Sequence, residues 1–234
     1  MGPLPVGPGM RARAIVFDLD GTLVRFDIDT ATLKREVITV LSKLGIPPSL
    51  FSINDSLTDL LDKVEAYIDA HGMGDEARRR IWNEVFRAMR RFEESAISTA
   101  SLMPGAYEVL SSLRERGFKI GLITLNSAAV VSNVLERLGI KKFFDAMISR
   151  DDVKNVKPNP EHLLEVLRRL EVRPEEAVVV GDTVFDMRCA KKVGAMAIGI
   201  TTGRSSEEEL RKAGADCVVE SLSELLFLLS QLDH

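Results

Sequence analysis

Four apolar residues, Ala14-Ile15-Val16-Phe17, run into a polar break at Asp18-Leu19-Asp20-Gly21-Thr22. A short apolar run closed by turn residues suits a strand buried on both faces. From about Phe26 to Ser101 the period changes. Leu33, Val37, Val40, Leu41 and Leu44 keep a helical spacing until Gly45-Ile46-Pro47-Pro48 ends it. Leu57, Leu60, Leu61, Val64 and Ile68 continue it to His71-Gly72, and Ile81, Val85, Ala88, Met89 and Phe92 form a third stretch. No segment of this block reads as a strand.

After Pro104-Gly105 strand-like runs alternate with helices. Lys119–Thr124 precedes a helix near Ser127–Leu138, Ala146–Ile148 one near Pro160–Leu170, and Ala177–Val180 one near Phe185–Val193. Ala197–Ile200 and Cys217–Val219 close the series, with helices at Ser206–Ala213 and Leu222–Leu232. This alternation predicts right-handed βαβ units and a parallel sheet. The fold class is therefore α/β, a Rossmann-like parallel-sheet core with an inserted all-helical domain after the first strand. The boundaries are a disordered lead over 1–10, a core formed by 11–24 plus 102–234, and a helical insertion over 25–101. Ligands in open α/β sheets sit beyond the carboxyl ends of strands. An insertion leaving from that end is expected to roof the ligand site.

Composition narrows the partners. The 234 residues are 45% apolar and 28% charged, with a formal net charge of −4, so a basic footprint for nucleic acid or a membrane surface is missing. The apolar runs are too short to span a bilayer. Two cysteines, Cys189 and Cys217, point to free thiols in a reducing, cytoplasmic compartment. A monomer or homodimer is expected. Arg78, Arg79, Arg80, Arg87, Arg90 and Arg91 are interleaved with acids and read as a solvated, ion-paired helix face. Trp82, Phe86, Met89 and Phe92 read as the internal core of the insertion.

Four loops at predicted strand ends hold residues suited to phosphate chemistry. Asp18 and Asp20, two apart on an extended segment, point to one side and could share a pocket, one as nucleophile and one as acid/base. Their repulsion needs a cation or a proton to relieve it. Taken alone, the segment also suits a turn with surface acids. Thr124, before Leu125-Asn126-Ser127, offers a hydroxyl at a helix N-terminus, although Ser127 or Asn126 as a simple cap fits equally. Lys157 in Lys157-Pro158-Asn159-Pro160 is held extended by the following proline, with Pro160 placed to start a helix. It could screen the aspartates and hold a phosphoryl oxygen; a solvated loop lysine is the plainer alternative. Asp182 and Asp186 in Gly181-Asp182-Thr183-Val184-Phe185-Asp186 suit one carboxylate on a hard cation and a second orienting the site, or a cap and a surface acid.

The four together, in this order, resemble the haloacid dehalogenase-like hydrolase superfamily. Pro104-Gly105 and Thr201-Thr202-Gly203-Arg204-Ser205-Ser206 look most like its phosphoglycolate-phosphatase-type branch. Leu125 departs from that branch, which usually has Asn directly after the motif threonine. The resemblance implies that the insertion is a helical cap and that the chain is a magnesium-dependent phosphatase acting on a small phosphorylated metabolite. Asp18 would be the nucleophile, forming an aspartyl-phosphate, and Asp20 the acid/base. Thr124 and Lys157 would bind phosphate. Mg2+ would be held by Asp18, the Asp20 carbonyl and Asp182, with Asp186 an outer or direct partner. The family's dehalogenases lack the second acid, so Asp20 favours phosphate esters. A phosphomutase or pyrophosphatase on the same scaffold, or a non-catalytic binding module, are the alternatives.

Overall fold

In the computed structural model, which describes residues 12–52 and 54–230, β1 (Ala14–Phe17) is buried along its whole length. The lead expected over residues 1–10 lies outside the described residues. After β1 the chain forms β2 (Val24–Arg25), three helices α1 (Thr30–Lys43), α2 (Leu57–Ala70) and α3 (Asp75–Ala96), and then β3 (Ser101–Leu102). It continues through α4 (Ala106–Glu115), β4 (Lys119–Ile123), α5 (Ala128–Arg137), β5 (Ala146–Ile148), α6 (Pro160–Leu170) and β6 (Ala177–Gly181). The chain closes with α7 (Val184–Val193), β7 (Met196–Ile200), α8 (Glu207–Lys212), β8 (Cys217–Val219) and α9 (Leu222–Leu229).

Six strands make one sheet in the order β5-β4-β1-β6-β7-β8, and every neighbouring pair is parallel. β1 is central. The sheet grows from it toward β4 on one side and β6 on the other, so the order reverses beside β1, the kind of point where open α/β sheets bind ligands beyond the strands' carboxyl ends. Alternate residues Ala14, Val16, Ala177, Val179 and Ala197 pack with Leu163, Val166 and Leu167 of α6, Met187 and Ala190 of α7, and Leu210 of α8. Burial on both faces explains why these strands are continuous apolar runs.

The chain divides into two compact units. One contains the chain up to Phe26 and from Ala100 onward; the other is Asp27–Thr99. Within the second unit α1, α2 and α3 pack through Leu33, Val37 and Leu41, through Leu60, Leu61, Val64 and Ile68, and through Ile81, Val85 and Met89. Trp82 and Phe86 are buried and stack, and the Trp82 indole donates to Glu65 at 3.0 Å. Arg78 pairs with Glu65 and Asp69, Arg87 with Glu84, and Arg91 with Glu36.

Three expectations change. The block expected to be free of strands contributes Ser101 to β3, which pairs antiparallel with β2. Helix α4 follows Pro104-Gly105, where the sequence pattern shows only a change of texture. Its N-cap is Gly105 at φ +84°, with no side-chain cap to announce it. The last helix ends at Leu229 rather than Leu232, and residues 231–234 lie outside the described ones. Among the described residues no helix is long and apolar enough to cross a membrane.

Gly121 sets how closely α6 lies on the sheet. A Cβ there would meet Val166 Cγ2 at 2.9 Å, Leu170 Cδ1 at 3.0 Å and Val16 Cγ2 at 3.3 Å. Gly121→Val is therefore expected to destabilise the protein by about 1–3 kcal/mol through overpacking, measured by urea unfolding.

Candidate active site

Strand register brings the first two acidic loops together. Phe17 of β1 lies opposite Val180 of β6, and the Asp18 amide extends the ladder by donating to the Val180 carbonyl at 2.9 Å. Asp18 thus leaves β1 beside the point where Asp182 leaves β6. Beyond Asp18 the chain turns tightly, with Gly21 N–H bonded to Val24 O at 2.8 Å, and passes into β2. Gly21 has φ +85°, a left-handed value that favours glycine, and a Cβ on it would lie 2.6 Å from Asp182 Oδ2. Gly203 stands against the same carboxylate; its Cβ would lie 1.9 Å from Oδ2. Two missing side chains therefore make the room that Asp182 occupies.

Asp182 is fully buried and accepts from the Thr22 hydroxyl at 3.2 Å and from the Arg204 amide at 2.8 Å. Burial, then the charges of Asp186 and Asp20, push its pKa up to about 6. Asp186 lies in the first turn of α7, whose N-cap is Thr183 rather than Asp182. Its Oδ2 accepts from the Thr183 amide at 3.1 Å and from the Thr183 hydroxyl. Asp18, Asp182 and Asp186 each offer an oxygen within 4.8 Å of the others, and all three are buried.

Lys157 answers this charge. Its ammonium is buried, bonds Asp18 Oδ1, and donates to Asp186 Oδ1 at 2.6 Å. Burial works against its charge, but the adjacent Asp18 and Asp186 outweigh it and hold its pKa above the usual value. Asp18 remains well above the ordinary carboxylate range, because burial raises it more than Lys157 lowers it. His162 steadies this loop. Its Nδ1 accepts the Lys157 amide at 3.2 Å, and its Nε2 lies 3.1 Å from the Ile148 carbonyl. Burial, then the charge of Lys157, pushes its pKa down to about 4, so the ring is neutral at pH 7 and Nε2–H donates.

Thr124 follows β4, the other neighbour of β1. It is buried, and its hydroxyl donates to Asn126 Oδ1 at 2.8 Å. Ser127 is the N-cap residue of α5 but makes no side-chain cap bond; Asp151 Oδ2 instead accepts the Ala128 amide at 2.9 Å. Asp20 stands apart from the buried trio, with its carboxylate paired to the Arg204 guanidinium. Arg204, Thr22 and His162 are site contributors that the sequence reading did not place. Thr22 and Arg204 lay inside motifs already noted, whereas His162 carried no signal of its own.

The profile of the haloacid dehalogenase-like hydrolase family matches residues 15–200. The chain belongs to that family. The phosphoglycolate phosphatase of Escherichia coli (strain K12) is 30% identical over 235 residues, covering 92% of this chain and 91% of the relative. A hydrolase from Pseudomonas syringae superposes with a TM-score of 0.67 at 24% identity, covering 94% of this chain and 99% of the other. A haloacid dehalogenase-like protein from Streptococcus pneumoniae superposes with a TM-score of 0.63 at 22% identity, covering 92% and 97%. As a haloacid dehalogenase-like hydrolase the chain is an enzyme of the phosphatase type.

Ionised together, the three buried carboxylates outnumber the Lys157 ammonium, with the Arg204 guanidinium committed to Asp20, and leave an excess of negative charge where water cannot disperse it. An all-oxygen donor set with that excess fits a hard divalent cation. Among the described residues Lys157 is the cation that bridges Asp18 and Asp186. Lys157→Met, similar in volume, is expected to lower stability without metal by about 3–5 kcal/mol at pH 7, read from urea unfolding.

Proposed function

We propose that this haloacid dehalogenase-like chain hydrolyses a small phosphate monoester, phosphoglycolate-like in size and charge, with Mg2+ and through an aspartyl-phosphate on Asp18. The observation that carries this reading is the buried group of Asp18, Asp182 and Asp186 with Lys157 bridging two of them. The relative from Escherichia coli supports the choice of substrate size.

Asp18, Asp182 and the Asp20 carbonyl would hold the cation, with Asp186 orienting Lys157 beside it. When bound, the cation neutralises the carboxylates and draws charge from the phosphoryl oxygens. Asp18 attacks phosphorus in line with the departing oxygen. Lys157 spends two N–H groups on Asp18 and Asp186 and keeps a third for a phosphoryl oxygen. Thr124 turns its hydroxyl from Asn126 to a second oxygen. Asp20, outside the buried trio, gives a proton to the leaving alkoxide and later takes one from the water that cleaves the aspartyl-phosphate. An ester whose leaving group needs that proton gives Asp20 its purpose, which separates this reading from dehalogenation. The free thiols of Cys189 and Cys217 support a reducing, cytoplasmic setting.

Release of inorganic phosphate from phosphoglycolate and a panel of small phosphate esters tests the proposal. Turnover is expected with Mg2+ and lost with a chelator, and Asp18→Asn is expected to lower it by about 1000-fold or more. Phosphate release that survives Asp18→Asn would remove Asp18 as the nucleophile.

A further inference from the structure

The loop between β7 and α8 is tied to the site at three points. Thr202 Oγ1 donates to Gly21 O at 2.7 Å, the Arg204 amide donates to Asp182 Oδ2 at 2.8 Å, and the Ser205 amide donates to Asp182 O at 3.2 Å. From this anchored backbone the Arg204 guanidinium reaches Asp20 Oδ2. The two side chains are 26% and 22% exposed, whereas those of Asp18 and Lys157 are 6% and 2% exposed. The ion pair therefore lies at the accessible edge of the site, on the carboxyl that must meet a leaving group.

We propose that Arg204 is a positioning residue for the acid step: by holding Asp20 through Oδ2 it presents Oδ1 to the departing oxygen. The proposal rests on the phosphatase reading above. In that step the ester P–O bond breaks and its electron pair stays on the departing oxygen. The phosphoryl group passes to Asp18, and Asp20, protonated on Oδ1 in the reacting form of the enzyme, gives that proton to the oxygen and is left as the carboxylate paired with Arg204. An unheld carboxyl at a partly exposed position samples other rotamers, and each loss of alignment lowers the rate. The guanidinium also faces the negative charge that Asp20 acquires as the proton leaves, a contact that strengthens toward the transition state. Arg204 hydrogen-bonds Asp182 through its main-chain N–H, which any substitution except proline keeps. Changing the side chain leaves that bond in place and removes the hydrogen bond to Asp20, together with a longer-range positive charge near Asp182 and Asp18.

A leaving-group series reads this role directly. The kcat/KM of wild type, Arg204→Ala and Arg204→Lys is measured with Mg2+ on p-nitrophenyl phosphate and on alkyl phosphates including phosphoglycolate. Departure of p-nitrophenolate needs little protonation, whereas departure of an alkoxide depends on it. Arg204→Ala is expected to lose about 30-fold or more on the alkyl esters, within the range that general acid catalysis supplies, and no more than about threefold on the aryl ester. Arg204→Lys is expected to recover part of the alkyl loss. In an Asp20→Ala background Arg204→Ala is expected to cost nothing further on alkyl esters, because both changes remove one unit. A loss equal across all leaving groups, or an undiminished alkyl rate, would overturn the positioning role while leaving the phosphatase reading standing. A wild-type protein that turns over no ester would overturn both.

Discussion

The parallel pairing of β1 with β6 is the constraint on which the rest depends. Main-chain hydrogen bonds fix the register with Phe17 opposite Val180, so Asp18 and Asp182 emerge side by side from the buried centre of the sheet. Rigid strand ends hold functional groups more closely than free loops do. The register also imposes a cost, since it drives carboxylates together in a place that water does not reach. Much of the local structure is a response to that repulsion. Gly21 and Gly203 withdraw their side chains from Asp182, Thr22 and the Arg204 amide donate to it, and Lys157 bridges Asp18 and Asp186.

Such an arrangement is poor as a device for stability. A buried ionic cluster seldom outperforms well-packed apolar residues of the same volume. Its persistence at the centre of an otherwise apolar sheet is the expected mark of a site retained for chemistry. The electrostatics agree with the geometry. Burial raises Asp18 and Asp182 above the ordinary carboxylate range, and neither Lys157 beside Asp18 nor Arg204 beside Asp182 brings them back.

Much of this was legible in the sequence because buried parallel strands write themselves as apolar runs, and the loops after them hold the polar residues. Ala14–Phe17, Ala146–Ile148 and Cys217–Val219 were read to the residue. Strands β2 and β3 were not, since two residues carry no period. Helix α4 has an apolar face at Val109, Leu110 and Leu113, but it starts at a glycine where a capping Ser, Thr or Asp would have marked it. The cap of α5 came from Asp151, on another loop, and not from Ser127. The Arg204–Asp20 pair joins distant segments, and no local spacing encodes such a contact. Residues that act from strand ends were visible; residues that act by supporting them became visible only in three dimensions.

The central claim is that the carboxylates at the ends of β1 and β6 form a site completed by a divalent cation. Calorimetric titration of metal-free protein with Mg2+ tests it most directly, with thermal unfolding followed in parallel. One bound ion per chain is expected, with stabilisation of about 2.7 kcal/mol when free Mg2+ reaches a hundredfold excess over its Kd, and loss of both in Asp182→Ala. Absence of binding to the wild-type chain, or equal binding by Asp182→Ala, would contradict the account.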